Sequence, residues 1–145
     1  MEASKRTRVL VVAHRTAATP RLIEAVRERA SRSPCSFTLL VPELAEAHPP
    51  GEAENTLALA LPLLEEAAGE PVEGMTGTSD AFAAVQKAHR ERTFDEAIIS
   101  TLPETVSRWL HRDLPGRVER LGLPVTVVKA KPSSVPRFVQ AARPR

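Results

Sequence analysis

Residues 95–128 follow the pattern of a β-strand, a helical segment and a second β-strand. The run AIIST at 97–101 indicates the first strand, and the run PVTVVK at 124–129 indicates the second. Asp113 stands where an N-cap residue would begin the intervening helix, and Gly122 stands where that helix would end. Strands joined through a helix are typical of parallel pairing, whereas antiparallel neighbours need only a tight turn. The pattern therefore favours an α/β domain.

The same alternation of strand and helix runs through the rest of the chain. Residues 8–13 (RVLVVA) and 37–41 (FTLLV) are continuous apolar runs of strand length. Such runs are typical of strands that are covered on both faces of a sheet. Residues 71–77 (PVEGMTG) predict a weaker strand, and Gly74 inside it favours a place at the sheet edge.

Three helices are predicted between these strands. Thr19 followed by Pro20 marks an N-cap with proline at the first helical position. Residues 52–68 carry helical periodicity, although Pro62 is expected to kink or split that helix. The pair Ser-Asp at 79–80 supplies a cap for the next helix. Together the elements predict a single three-layer α/β/α domain with a five-stranded parallel sheet.

Length and charge limit the classes of protein that need to be considered. The 145 residues fit one domain, which we place at residues 7–129 and follow with a basic, proline-containing tail at 130–145. The net charge is only +2, and the basic residues concentrate in the two ends, so the sequence argues against a nucleic-acid footprint on the domain. No apolar run approaches the ~20 residues that span a bilayer, and no secretory signal is present. We therefore expect a cytoplasmic protein with no membrane partner.

The order of elements, and the ending in which a capped helix precedes GLPVTVV, resembles the universal stress protein family over residues 7–129. The resemblance implies the strand order 3-2-1-4-5 and a pocket between the ends of the first and fourth strands. It also implies homodimers that pair through the fifth strand. Many members of that family bind ATP with a G-x-x-G-x9-G-[ST] signature after the fourth strand.

This chain departs from the nucleotide signature of the family. No glycine lies between Gly77 and Gly116, and backbone can approach a phosphate closely only where side chains are absent. Arg112 and Asp113 align with the Gly-Ser pair that opens the family's final helix, and a carboxylate there would occupy the donors that a phosphate needs. The family usually has an aspartate after the first strand that helps to hold the adenine end, but here no acid follows that strand for ten residues. We therefore expect no cofactor, and the missing glycine loop disfavours ATP or another nucleotide.

Polar side chains should nevertheless converge at the carboxyl ends of the first and fourth strands, where ligands settle in sheets of this type. Guanidinium groups there could hold a small anionic ligand through paired hydrogen bonds. The candidate ligand-binding residues are His14, Arg15, Thr16, Ser100, Thr101, Arg108, His111 and Arg112.

Structural roles compete with these functional ones. His14 could close the first strand, and Thr101 is spaced with Glu104 as a capping box for a short helix reaching His111. Trp109, the single tryptophan, suits an anchor against the sheet better than a stacking platform. Cys35, the single cysteine, opens an apolar run and suits the core better than nucleophilic chemistry.

Catalysis has little support in the sequence. The four histidines have no metal-ligand spacing, no G-x-S-x-G elbow is present, and Asp95 and Glu96 precede their strand and so lie opposite the pocket. We predict no catalytic residue, no metal site and a noncatalytic, stress-related regulatory or small-ligand-binding module. Two alternatives stay open: a ligand-free interaction module that uses the dimer surface and the basic tail, and a weak nucleotide hydrolase.

Overall fold

The computed structural model of the protein describes residues 6–14, 16–43, 51–102, 109 and 112–129. The strands are β1 (Thr7–Val12), β2 (Cys35–Pro42), β3 (Glu73–Gly77), β4 (Glu96–Thr101) and β5 (Val125–Lys129). The helices are α1 (Pro20–Arg32), α2 (Glu52–Ala68), α3 (Ala81–Arg92) and α4 (Leu114–Glu119). The predicted alternation of strands and helices is confirmed.

The five strands form one parallel sheet in the order β3-β2-β1-β4-β5, as predicted. β1 lies at the centre, where Leu10 pairs with Thr38 on one side and with Ala97 on the other. β3, the strand with an internal glycine, lies at an edge. A side chain at Gly74 would meet methyl groups of Leu57 at 2.9 Å, so α2 packs closely over this glycine.

Alternate residues of the central strand enter two separate cores. Val9 and Val11 pack with apolar side chains of α1 and α2, whereas Leu10 and Val12 pack with those of α3 and α4. All four are fully buried, which is why the run carries no polar alternation. Burial of one such side chain stabilises the fold by about 1.5–3 kcal/mol. Because β1 contributes buried side chains to both cores, it links the two helical layers.

Helix α2 runs unbroken through Pro62, so of the two predicted effects, a kink or a split, the split does not occur. Proline removes one N–H donor and leaves the carbonyl of residue 58 without its helical partner. Ala58 and Pro62 both lie on the exposed side of α2, where water can bond that carbonyl. The helix ends at Gly69, whose φ of 80° and N–H bond to the Glu65 carbonyl close it as predicted.

Two of the predicted caps have the expected side-chain bonds. Asp80 accepts from Ala83 N–H and begins α3, and Asp113 accepts from Gly116 N–H and begins α4. Thr19 occupies the N-cap position of α1, but its hydroxyl donates to the Thr16 carbonyl instead of accepting from a helical N–H. The predicted capping box falls mainly on residues outside the described part of the chain.

Cys35 is buried at 4% exposure in the α1 and α2 core, as predicted. Burial raises the pKa of its thiol, while the Arg29 guanidinium opposes that rise. A protonated thiol is a weak nucleophile, so the position suits packing. Within the described ranges, no helix combines the length and the apolar character that a membrane span needs.

Candidate functional site

The crevice expected from the topology lies between the carboxyl ends of β1 and β4. The chain leaves β1 toward α1 and reaches β2 on one side, whereas β4 pairs with β1 on the other side and leads to β5. The two connections therefore diverge at this edge of the sheet. In parallel sheets, such a divergence is the place where ligands bind.

Buried polar groups concentrate at this crevice. His14 and Thr16 follow β1 directly, and Ser100 and Thr101 are the last two residues of β4. All four are at most 5% exposed, and in the described part of the chain Thr38 is the other buried polar residue. Burying hydroxyl and imidazole groups has a free-energy cost, so the concentration of four of them at the carboxyl ends of β1 and β4 marks this end of the sheet as a candidate site.

A buried hydrogen bond joins the two strands at the crevice. The Thr16 and Ser100 hydroxyl oxygens lie 2.6 Å apart, although the residues are 84 positions apart in the chain. Either hydroxyl can donate. The bond fixes the loop after β1 against the end of β4.

The loop after β1 is itself tightly turned. Ala17 N–H donates to the His14 carbonyl at 3.1 Å, and Thr19 donates to the Thr16 carbonyl through both its N–H and its hydroxyl. These bonds satisfy backbone N–H and C=O groups of the loop that would otherwise lack hydrogen-bond partners. The turn therefore presents Thr16 on a rigid support.

Thr101 differs from its neighbours at the crevice. Its hydroxyl oxygen is buried and has no hydrogen-bond partner within the part of the chain that the structure describes. An unsatisfied buried hydroxyl has a cost of roughly 1–3 kcal/mol, which a partner group would recover. Thr101 therefore has unused capacity to donate or accept at the crevice.

Two basic residues of the described chain lie near this edge. Lys129, the last residue of β5, pairs in register with Thr101, and its place beside the site was not recognised from the sequence. Arg112 is exposed just before α4. The predicted site residues Arg15, Arg108 and His111 lie outside the described residues.

The start of α4 is capped by the Asp113 side chain. Asp113 accepts from Gly116 N–H at 3.2 Å, and a side chain at Gly116 would meet the Asp113 carboxylate at 2.5 Å. The carboxylate thus occupies the helix start and adds negative charge there. The observation agrees with the sequence argument that Asp113 is a structural cap.

A second depression, of about 290 Å³, lies at the opposite, amino end of the sheet. Its polar lining is largely paired, since Glu70 bonds Arg6 and Glu73 bonds Arg92. The remaining lining residues are Arg8, Ser36, Phe37, Thr38, Pro71 and Phe94. The Arg8 guanidinium lies over the Phe94 ring, 5.8 Å from its centroid. The depression is therefore accounted for by structural pairs.

Asp95 and Glu96 also belong to the amino end, as predicted. Asp95 accepts from Arg8 N–H at 2.8 Å, and Glu96 forms an ion pair with Arg29 at 2.8 Å. The hydrogen bond that Arg29 donates to the Glu96 carboxylate raises the pKa of Arg29. Both carboxylates therefore hold β4 in place. No group of three or more metal-ligating side chains occurs within the described ranges.

A five-stranded parallel sheet with a polar crevice at its switch point defines a Rossmann-like domain. Among Rossmann-like domains, this chain has the universal stress protein fold. A universal stress protein solved in complex with cAMP has a TM-score of 0.61 and 15% identity, over 88% of this chain and 100% of that one. A universal stress protein from Archaeoglobus fulgidus has a TM-score of 0.62 and 14% identity, over 85% and 93%.

A universal stress protein family protein from Arabidopsis thaliana, solved with AMP bound, has a TM-score of 0.58 and 17% identity, over 90% of this chain and 95% of that one. At these identities the likeness concerns the fold. No protein-family model and no curated protein sequence matches the chain.

Proposed function

We propose that this protein is a noncatalytic, stress-related module that binds a small anionic ligand between the ends of β1 and β4. The observation that carries the proposal is the buried Thr101 hydroxyl, which has no partner within the described residues, beside the buried Thr16 and Ser100 pair. A ligand hydroxyl or phosphoryl oxygen would satisfy it. Structures of similar fold that contain cAMP and AMP support a ligand of nucleotide size.

Recognition of the ligand's charge is assigned to side chains rather than to a glycine loop. Arg15, Arg108 and Arg112 are proposed to meet the anion, with His14 and His111 as hydrogen-bonding neighbours. The absence of glycine from residues 78–115 and the occupied start of α4 both argue against a backbone phosphate cradle. A nucleoside monophosphate or a cyclic nucleotide therefore fits better than ATP, whose three phosphates require more donors.

The test is calorimetric titration of the purified protein with AMP, cAMP, ATP and inorganic phosphate. Thr101→Val keeps the side-chain volume but removes the hydroxyl, and the loss of a hydrogen bond worth about 1 kcal/mol should weaken binding by roughly fivefold to tenfold. Thr38→Val is the matched control, because Thr38 is a buried threonine at the amino end of the same sheet. Its affinity should stay unchanged.

A second pair of variants tests the arginines. The double substitution Arg108→Ala and Arg112→Ala should abolish binding, whereas Arg21→Ala with Arg90→Ala removes two exposed charges from α1 and α3 and should not. Saturable binding that survives both Thr101→Val and the arginine substitutions would refute this site. An absence of binding for all four compounds would refute nucleotide and phosphate recognition.

We also propose a homodimer formed through β5. This strand lies at the sheet edge, and Val127 is 36% exposed on it. Sedimentation of the wild-type chain and of Val127→Lys should give a dimer and a monomer respectively. A monomer in both would reject the pairing.

A further inference from the structure

The charges of this chain are segregated along its sequence. No lysine or arginine occurs between Arg32 and Lys87, although nine acidic residues do. This acidic segment includes β2 and β3, the two strands at one edge of the sheet, and α2, which packs on them. Residues 130–145 have the opposite character, because they contain one lysine and three arginines but no acid. The two segments have complementary charge, a condition that favours contact between them.

The outer face of α2 combines this negative charge with exposed apolar surface. Leu59 is 73% exposed and Leu63 is 40% exposed, one helical turn apart. Glu52 and Glu66 lie seven residues on either side of Leu59 and therefore on the same stripe of the helix. Neither glutamate has an ion pair among the described residues, in contrast to Glu70, which pairs with Arg6. We call this stripe the α2 face.

We propose that residues 130–145 of the same chain dock on the α2 face. The segment contains Val135, Phe138 and Val139 among its basic residues, so it can cover Leu59 and Leu63 while its charges meet Glu52 and Glu66. Apolar contact flanked by opposite charges is the pattern by which extended segments bind grooved or flat surfaces. In this arrangement the segment would cover the two exposed leucines of α2.

The chain is long enough to make this contact. The segment leaves the sheet at Lys129, and α2 packs over β2 and β3. From β5 to β2 is three strand spacings, about 14 Å, and the helical layer adds about 10 Å. A flexible chain of roughly ten residues spans about 16–19 Å on average and about 33 Å when extended. A path of about 24 Å lies between these two lengths, so Phe138 can reach Leu63, and the local concentration of the segment at the α2 face is in the millimolar range.

Paramagnetic broadening in the full-length chain tests the proposal. A nitroxide attached at Ala141→Cys would report on nearby backbone amides, with Cys35 buried and the unsubstituted chain labelled in parallel to measure its background. Amide signals of α2 at residues 55, 59, 63 and 66 should lose most of their intensity, because a millimolar site is about half occupied at a millimolar local concentration and a nearby nitroxide broadens an amide signal strongly even at partial occupancy. Amide signals of α3 should keep theirs.

Substitutions on the α2 face provide the second readout. Leu59→Ser with Leu63→Ser, and separately Glu52→Lys with Glu66→Lys, should each restore the α2 signals. Glu119→Lys makes the same kind of charge change at an exposed acid of α4 and should leave the broadening intact. The broadening should also weaken in 1 M salt, where the Debye length is about 3 Å.

Three outcomes would overturn the proposal. One is an unbroadened α2 in the labelled wild-type chain, and another is broadening that persists after both double substitutions. The third comes from mixing isotope-labelled chain that lacks the nitroxide with nitroxide-labelled chain that lacks the isotope. Broadening of α2 in that mixture would show that the segment docks on a second copy instead.

Discussion

The hydrogen bond between Thr16 and Ser100 should behave as an energetically coupled pair. Thr16 is 3% exposed and Ser100 is 1% exposed, so neither hydroxyl can exchange its partner for bulk water. Thr16→Val preserves the side-chain shape but leaves the Ser100 hydroxyl without a hydrogen-bond partner. Ser100→Ala does the same to the Thr16 hydroxyl. Each single substitution should therefore lower the free energy of unfolding by about 1–3 kcal/mol.

The double substitution should have a smaller effect than the two single ones combined. When both hydroxyls are gone, no buried polar group is left unpaired, and the remaining loss is the small cavity at residue 100. The coupling energy in the double-mutant cycle should therefore be about 1–2 kcal/mol. Because the bond joins residues 84 positions apart, the coupling would measure the contact between the loop after β1 and the end of β4.

Urea unfolding of the wild type, both single variants and the double variant measures this coupling. Midpoints should be compared at equal slope, so that changes in the unfolded state are excluded. Effects that add to within about 0.5 kcal/mol would refute the argument that this bond fixes the loop after β1 against the end of β4. Thr101→Val offers a contrast, since its hydroxyl has no partner in the described part of the chain and its removal should be neutral or stabilising.

Three further predictions concern the scaffold and use urea midpoints as the measurement. Gly77→Ala should lower stability by about 1–3 kcal/mol, because the added carbon would lie 2.6 Å from Ala84 Cβ, and Ala84→Gly should recover part of that loss. Asp113→Ala should lower stability by about 1–2 kcal/mol, whereas Asp113→Asn, which can cap and tolerates the φ of 56°, should lose less. Burial raises the pKa of the Cys35 thiol, so stability should be constant below the unfolded-state pKa of about 8.5 and should fall above it by up to about 1.4 kcal/mol per pH unit. Cys35→Ala should remove that fall; an unchanged slope would contradict the assignment.

Most of the architecture followed from local sequence patterns. The run at 8–13 predicted a strand covered on both faces because apolar side chains appear at every position, and β1 does enter two cores. Asp113 predicted a helix start because a carboxylate accepts from a nearby N–H. The sequence left open whether Pro62 would kink or split α2, because the cost of proline depends on whether the carbonyl that loses its partner is exposed to water, and exposure is a property of the folded chain.

The candidate site was predictable in position but not in detail. The rule that ligands bind at a topological switch point predicts from the sequence that His14 and Thr101 lie at the site. The bond between Thr16 and Ser100 could not be predicted, since no local pattern couples side chains so far apart in sequence. The unbroken acidic character of residues 33–86 is visible in the sequence, yet only the strand order shows that these residues share one side of the sheet.

The central position of β1 has a consequence for synthesis on the ribosome. Its first neighbour, β2, follows closely, but its second neighbour is β4, and Arg8 bonds Asp95 from 87 residues away. At translation rates of roughly 5–20 residues per second, the edge of β1 that pairs with β4 stays unpaired for about 4–17 s. During that interval Leu10 and Val12 lack the cover of α3 and α4. The nascent chain therefore has a defined period in which a chaperone would bind it and in which aggregation competes with folding.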